Sequence, residues 1–144
     1  MELSDPPGRL AVIGANAVGL ELGQMLGNFG THLTFVDLVR VAPFDEPEIS
    51  KAMRQILEDE GHTVIEGART EHVSIEDGDK VPRGAHGEQP FEVRVDEILV
   101  ATSRRPNTEG LGLERVGVQL DERARSWSTT SSAPACRPSS PPVT

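Results

Sequence analysis

The chain has a single cysteine, a single tryptophan, four phenylalanines and no tyrosine among its 144 residues. With Cys136 alone, an internal disulfide framework and a Cys-x-x-Cys metal or redox pair are both excluded. No apolar stretch approaches the roughly 18 residues of a membrane span. The opening Met-Glu-Leu-Ser-Asp-Pro-Pro-Gly has neither the basic region nor the apolar core of a signal peptide. The expected compartment is therefore the cytoplasm, with no membrane partner. Cations are scarce too: 14 Lys and Arg against 23 Asp and Glu leave a net charge of −9. Nucleic acid is not an expected partner, because neutralising its phosphates takes clustered Lys and Arg. His32, His62, His72 and His86 are scattered without ligand spacing, so no metal site is expected. A 36% apolar content at this length allows one domain with a modest core.

What is present begins at Leu10. Leu-Ala-Val-Ile-Gly-Ala-Asn-Ala-Val-Gly-Leu-Glu, Leu10 to Glu21, reads as an apolar strand running into a glycine turn and then a helix. A dinucleotide pyrophosphate binds at such a turn, where free N–H groups and the positive end of a helix dipole face the anion. Gly14 suits the tight turn and Gly19 suits close packing of helix on sheet. The usual middle glycine of that fingerprint is Asn16 here, a residue that tolerates the left-handed region and bonds locally. Val18, Leu22, Leu26 and Phe29 recur at helical spacing, with Gly30 where a C-cap belongs. Gly19, Gly23 and Gly27 share a second face, each unfavourable by about 1 kcal/mol relative to alanine, which places that face hard against a sheet. A second apolar run, Leu33 to Val36, ends in Asp37, where a carboxylate would take the adenosine ribose hydroxyls. The alternative is an ordinary βαβ unit that binds no nucleotide.

Further along, Asp45, Glu46, Pro47 and Glu48 mark a helix start with a carboxylate cap. Ile49, Met53, Ile56 and Leu57 form its buried stripe, and Gly61 closes it. Thr63 to Glu66 and His72 to Glu76 read as strands, Gly78 to Gln89 as a polar loop and Phe91 to Val95 as an alternating strand, together a small meander. Ile98 to Ala101 has the character of a central parallel strand. The fold class is therefore α/β: a Rossmann-like dinucleotide-binding domain with a parallel sheet and a small antiparallel β-meander.

Three segments carry a family resemblance: Gly14-Ala15-Asn16-Ala17-Val18-Gly19-Leu20-Glu21, Pro43-Phe44-Asp45-Glu46-Pro47-Glu48, and Ala101-Thr102-Ser103-Arg104-Arg105-Pro106-Asn107 followed by Gly110-Leu111. Over about residues 9 to 122 the chain resembles the pyridine-nucleotide-binding domain of the flavoprotein disulfide reductases. Within that family the wording is most similar to mercuric reductases, with dihydrolipoamide dehydrogenases and NADH oxidases as the alternatives. The resemblance implies that Gly14, Ala15, Asn16, Ala17, Val18 and Gly19 form the pyrophosphate turn, that Glu21 is the acid near the nicotinamide, and that Asp37 is the adenosine-ribose position. Ser103, also implied as a cofactor-binding position, replaces the glycine of the family's Ala-Thr-Gly signature, and Arg104, Pro106 and Asn107 match the segment that returns the chain to the flavin domain. The implied cofactor is NAD(P)H. Asp37 favours NADH because a carboxylate repels a 2′-phosphate, although Arg40 lies near enough in sequence to suit NADPH. The parent enzyme would also hold FAD, a redox cysteine pair and a homodimer partner. The isolated chain has none of these and is not expected to turn over, so no catalytic residue is assigned to it.

The remaining residues, 123 to 144, differ in character. From Ala124 onward there is no acid, and Ser, Thr, Pro, Ala and Arg predominate, a composition that cannot bury a core and reads as disorder. Read one frame over, the genetic code permits this stretch to spell a β-rich run ending Ala-Ala-Gly-Asp, the motif that binds FAD in the family. The domain reading is thus a linker over 1 to 8, the NAD(P)H-binding domain over 9 to 122 and a frame-shifted tail over 123 to 144. A genuine disordered tail, and a non-functional gene remnant, are the alternatives.

Overall fold

The computed structural model describes residues 5–103 and 106–118; the tail reading lies outside them. Residues 5–103 lie in one compact unit. Its first sheet is parallel, with strands β1 (Arg9–Ile13), β2 (His32–Val36), β3 (Thr63–Ile65) and β7 (Glu97–Val100) in the order β3-β2-β1-β7. Helix α1 (Ala17–Gly27) links β1 to β2, and α2 (Pro47–Asp59) precedes β3. Strands β4 (Ala68–Glu76), β5 (Asp79–His86) and β6 (Gln89–Glu92) make a separate antiparallel meander. In the two central strands, β1 and β2, successive residues are buried, so these strands are covered on both faces and read as nearly continuous apolar runs. Leu10, Val12, Leu33 and Phe35 have no exposed surface and pack with Leu57 of α2 into one core. The second unit contributes a 3₁₀ turn, Leu113–Val116, to the described residues. None of the described helices is long and apolar enough to cross a membrane.

The face that α1 turns to the sheet is its glycine face. A methyl group on Gly19 would run into the carbonyl oxygen of Gly14, one on Gly23 would sit 2.8 Å from Phe35 Cζ, and one on Gly27 would sit 2.8 Å from His62 Nε2. The apolar series Val18, Leu22 and Phe29 points outward instead, at 38%, 40% and 68% exposure, and only Leu26 of that series packs on the core. The glycine face expected hard against the sheet is the one found there, because only residues without a side chain let the helix axis approach this closely. Beyond the helix, Gly30 at φ +92° turns the chain into β2. In α2 the buried positions are Ser50 and Leu57, with Met53 half-buried, whereas Ile49 and Ile56 are exposed. The N-cap of α2 is Glu46, whose side chain makes no capping bond, so the expected carboxylate cap is absent; Pro47 opens the helix.

The segment from Gly78 to Gln89 is not a loop. Most of it is β5, the central strand of the meander, and the third strand is Gln89–Glu92 rather than Phe91 to Val95. Its polar residues are compatible with a strand because they pair across it. Arg83 bridges Glu76 (2.6 Å) and Glu92 (2.8 Å), and Arg94 reaches Glu76 at 3.0 Å. Val81 and Pro82 are both buried, on opposite faces of the strand, and Pro82 lies beyond the stretch that β6 pairs. Hydrogen bonds from Arg83 and Ser74 hold the Glu76 carboxyl down at about 2, against an ordinary 4.5. A carboxyl whose folded value is depressed stabilises fully above its unfolded value and loses that contribution as pH falls towards the folded one. The Tm gap between the native chain and E76Q should therefore narrow from about pH 5 towards 2, as thermal unfolding across that range would show.

Candidate functional site

At the end of β1 the chain reverses into α1, and hydrogen bonds from Gly14, Ala15 and the Asn16 side chain fix that reversal. Gly14 adopts φ +101°, and its N–H donates to Val36 O at 2.8 Å. A side chain there would meet Ala101 O at 2.7 Å, so the turn is closed on its β7 flank. Ala15 N donates to Asp37 Oδ2 at 2.8 Å. Asn16 is the N-cap of α1: its Oδ1 accepts from Val18 N at 3.0 Å and Gly19 N at 3.4 Å, and its Nδ2 donates to Ala101 O. Its backbone is extended, φ −83° and ψ −179°, so the left-handed tolerance of asparagine is not what suits it to this position. Asn16 is there because it both caps the helix and ties the turn to β7.

Between β1 and β7 the strand order reverses, and open α/β sheets place ligands outside the carboxyl ends of their strands at such a point. A cavity of about 430 Å³ lies there, within the usual size of a cofactor site. Ile13, Gly14 and Asn16 line it from the turn, Val36 to Val39 from the end of β2, Pro43 and Phe44 from the loop before α2, Ala68 to Thr70 from β4, and Thr102 from the end of β7. Asp37 anchors it. One carboxylate oxygen accepts from Ala15 N and the other from Val39 N at 2.8 Å, and each retains a further lone pair for a ligand hydroxyl. Apolar lining with a few placed polar groups is what a dinucleotide's base, ribose and pyrophosphate require.

The structure brings Gly14, Asn16 and Asp37 together around this cavity, with Ala15 bonded to Asp37 and Gly19 packed beneath the turn. Ala17 and Val18 occupy the exposed first turn of α1. Glu21 is exposed on α1, and Ser103 is exposed after β7; neither lines the cavity. Arg104 and Arg105 lie outside the described residues. Arg40 is turned away: its Nη2 donates to Asp45 O at 2.7 Å, and it does not line the cavity. Arg69 does line it; the sequence pattern does not mark it, because the strand signal begins at His72 whereas β4 begins at Ala68. A strand started four residues earlier would have carried Arg69 and Thr70 to the sheet end beside Asp37.

The sequence pattern of the pyridine nucleotide-disulphide oxidoreductases matches residues 1–128 of the chain. The chain belongs to the pyridine nucleotide-disulphide oxidoreductase family. It is 43% identical over 120 residues to a dihydrolipoyl dehydrogenase of Thermus scotoductus, an alignment covering 81% of this chain and 26% of the relative. It is 40% identical over 127 residues to a mercuric reductase of Streptomyces lividans, covering 85% and 26% respectively. Among solved structures it resembles the Cu(II) complex of the HOCl-induced flavoprotein disulfide reductase RclA from Escherichia coli, with a TM-score of 0.76, 28% identity, and coverage of 87% of this chain and 28% of that one. The chain spans about a quarter of the length of these relatives. The parallel sheet flanked by helices, with its small antiparallel sheet, is the Rossmann-like fold of the flavoprotein disulfide reductases.

Proposed function

We propose that residues 9 to 122 form the pyridine-nucleotide-binding module of a flavin-dependent disulfide oxidoreductase and take NADH in preference to NADPH. The observation that carries this reading is the cavity beyond β1 and β2, with Gly14 and Asn16 of the turn at one wall and Asp37 at another. The turn would face the pyrophosphate, and Asp37 would accept the adenosine ribose hydroxyls. Its negative charge disfavours a 2′-phosphate in the same place, and Arg40, held by Asp45 O, does not offset it. The reduced nicotinamide supplies a hydride, for which FAD on another part of the parent enzyme would be the acceptor. This chain's share is to bind and orient the donor.

For the parent enzyme we propose mercury(II) reduction, with the electrons passing through a cysteine pair to Hg(II). The support is the wording of segments 14 to 21, 43 to 48 and 101 to 107, together with the 40% identity to the Streptomyces lividans mercuric reductase. Lipoamide chemistry is the second reading, favoured by the 43% identity to the Thermus scotoductus dihydrolipoyl dehydrogenase.

Titration of the purified chain with NADH and NADPH, followed by nicotinamide fluorescence and thermal shift, tests the binding reading. Saturable stabilisation is expected, about 2.7 kcal/mol at a hundredfold excess over Kd, with NADH binding tighter. A folded chain that responds to neither nucleotide would overturn the proposal.

A further inference from the structure

Phe44 is 92% exposed and Arg69 is exposed, yet both line the cavity that also holds Asp37. Neither position is explained by folding. Phe44 adds nothing to the core, and the Arg69 side chain has no hydrogen bond or ion pair among the described residues, whereas Arg9, Arg54, Arg83 and Arg94 are all ion-paired. Two departures from regular backbone adjoin them. Ala42, which leads into Pro43 and Phe44, is buried at φ +47°, a region alanine rarely adopts. That conformation is fixed by Ala42 N donating to Ala15 O at 2.8 Å and by Ser50 Oγ donating to the neighbouring Val41 O at 2.6 Å. In β4 the register with β5 shifts between Thr70 and His72, a bulge of the kind that re-aims side chains beside binding sites. The Thr70 hydroxyl, on the cavity wall, is buried without a hydrogen-bond partner.

We infer that Phe44 and Arg69 grip the adenine ring of the dinucleotide, Phe44 ring against ring and Arg69 with its guanidinium plane on the base, and so set affinity at the base end of the cavity. The inference rests on the dinucleotide reading above. An exposed phenylalanine gains by covering itself with a flat aromatic ring, and a planar guanidinium can stack on such a ring while its charge stays in water. Asp37 beside them fixes which part of the ligand arrives here, because the ribose it would hold is bonded directly to the base. The alternative for Arg69 is a point-charge contact with a 2′-phosphate, and the two chemistries separate experimentally because lysine can replace arginine as a charge but not as a plane.

The test measures Kd of the full chain for ADP-ribose, NADH and NADPH by calorimetry, with Tm recorded for every variant. F44A and R69A should each weaken ADP-ribose and NADH by about fivefold to tenfold with Tm unchanged, since both side chains are exposed and make no stabilising contact. F44W should bind at least as well as the native chain, and R69K should be as weak as R69A. Unchanged ADP-ribose affinity in F44A and R69A overturns the inference and leaves the dinucleotide reading standing. So does a loss confined to NADPH in R69A that R69K restores, which would assign Arg69 to a phosphate. Failure of the native chain to bind ADP-ribose overturns the dinucleotide reading and this inference with it.

Discussion

Alanine at position 19 is expected to lower the unfolding midpoint by at least about 10 °C, the equivalent of some 2–3 kcal/mol in a domain of this size. Alanine is the better helix former by about 1 kcal/mol, so propensity alone predicts the opposite sign. Packing wins because the added methyl meets the carbonyl oxygen of Gly14 and, at 3.2 Å, Val12 Cγ1. That carbonyl cannot retreat without opening the turn, which is fixed by Gly14 N on Val36 O and by Asn16 on Ala101 O. G27A is the control. Its methyl would meet the ring of His62, 2.8 Å away at Nε2, and a half-buried side chain can rotate where backbone cannot. Thermal unfolding of both variants should therefore give a large loss for G19A and a small one for G27A; equal losses would refute the close approach at the turn.

Removing the charge at position 37 is expected to have the second large effect, on binding as well as stability. In D37A two backbone N–H groups, of Ala15 and Val39, lose their acceptor, which costs about 1–3 kcal/mol, at the lower end here because the carboxylate is only half-buried and water can replace it. NADH affinity should fall at least about tenfold, or 1.4 kcal/mol. D37N isolates the electrostatic part. Its single amide oxygen can still accept from one of the two N–H groups, but the charge that repels a 2′-phosphate is gone, so the preference for NADH over NADPH should shrink by about tenfold. Competition titrations of the native chain and D37N with both nucleotides measure that ratio. An unchanged ratio would mean that Asp37 does not read the ribose.

Strands and turns were legible where local chemistry governs them. Leu10 to Ile13, Leu33 to Val36 and Ile98 to Val100 are apolar runs too short for helices, and the glycines at 14 and 30 end their elements where the chain has to change direction. The face of α1 was legible through Gly19, Gly23 and Gly27, but apolar spacing was a poorer guide. The outward Val18, Leu22 and Phe29 and the outward Ile49 and Ile56 have helical spacing, but spacing reports which residues share a face, not which face meets the sheet. The meander was legible as a meander and misread in its middle. Lys80, Pro82, Arg83 and Gly84 argue for a loop until Glu97 is seen beside Lys80, Glu76 and Glu92 beside Arg83, and Pro82 and Gly84 opposite Val73 and Thr70.

By itself the sequence determined the βαβ order, the tight turn at Gly14, the close helix at Gly19 and the acid at Asp37, because each depends on contacts within some 25 residues of chain and on glycine's lack of a side chain. Only the tertiary structure decided the walls of the cavity. It placed Phe44, Arg69, Thr70 and Thr102 around Asp37, tied Asn16 to Ala101 across 85 residues, and withdrew Arg40 onto Asp45. These are outcomes of strand register, a bulge in β4 and one strained alanine, and no local pattern of apolar and polar residues encodes which distant side chains such irregularities bring together.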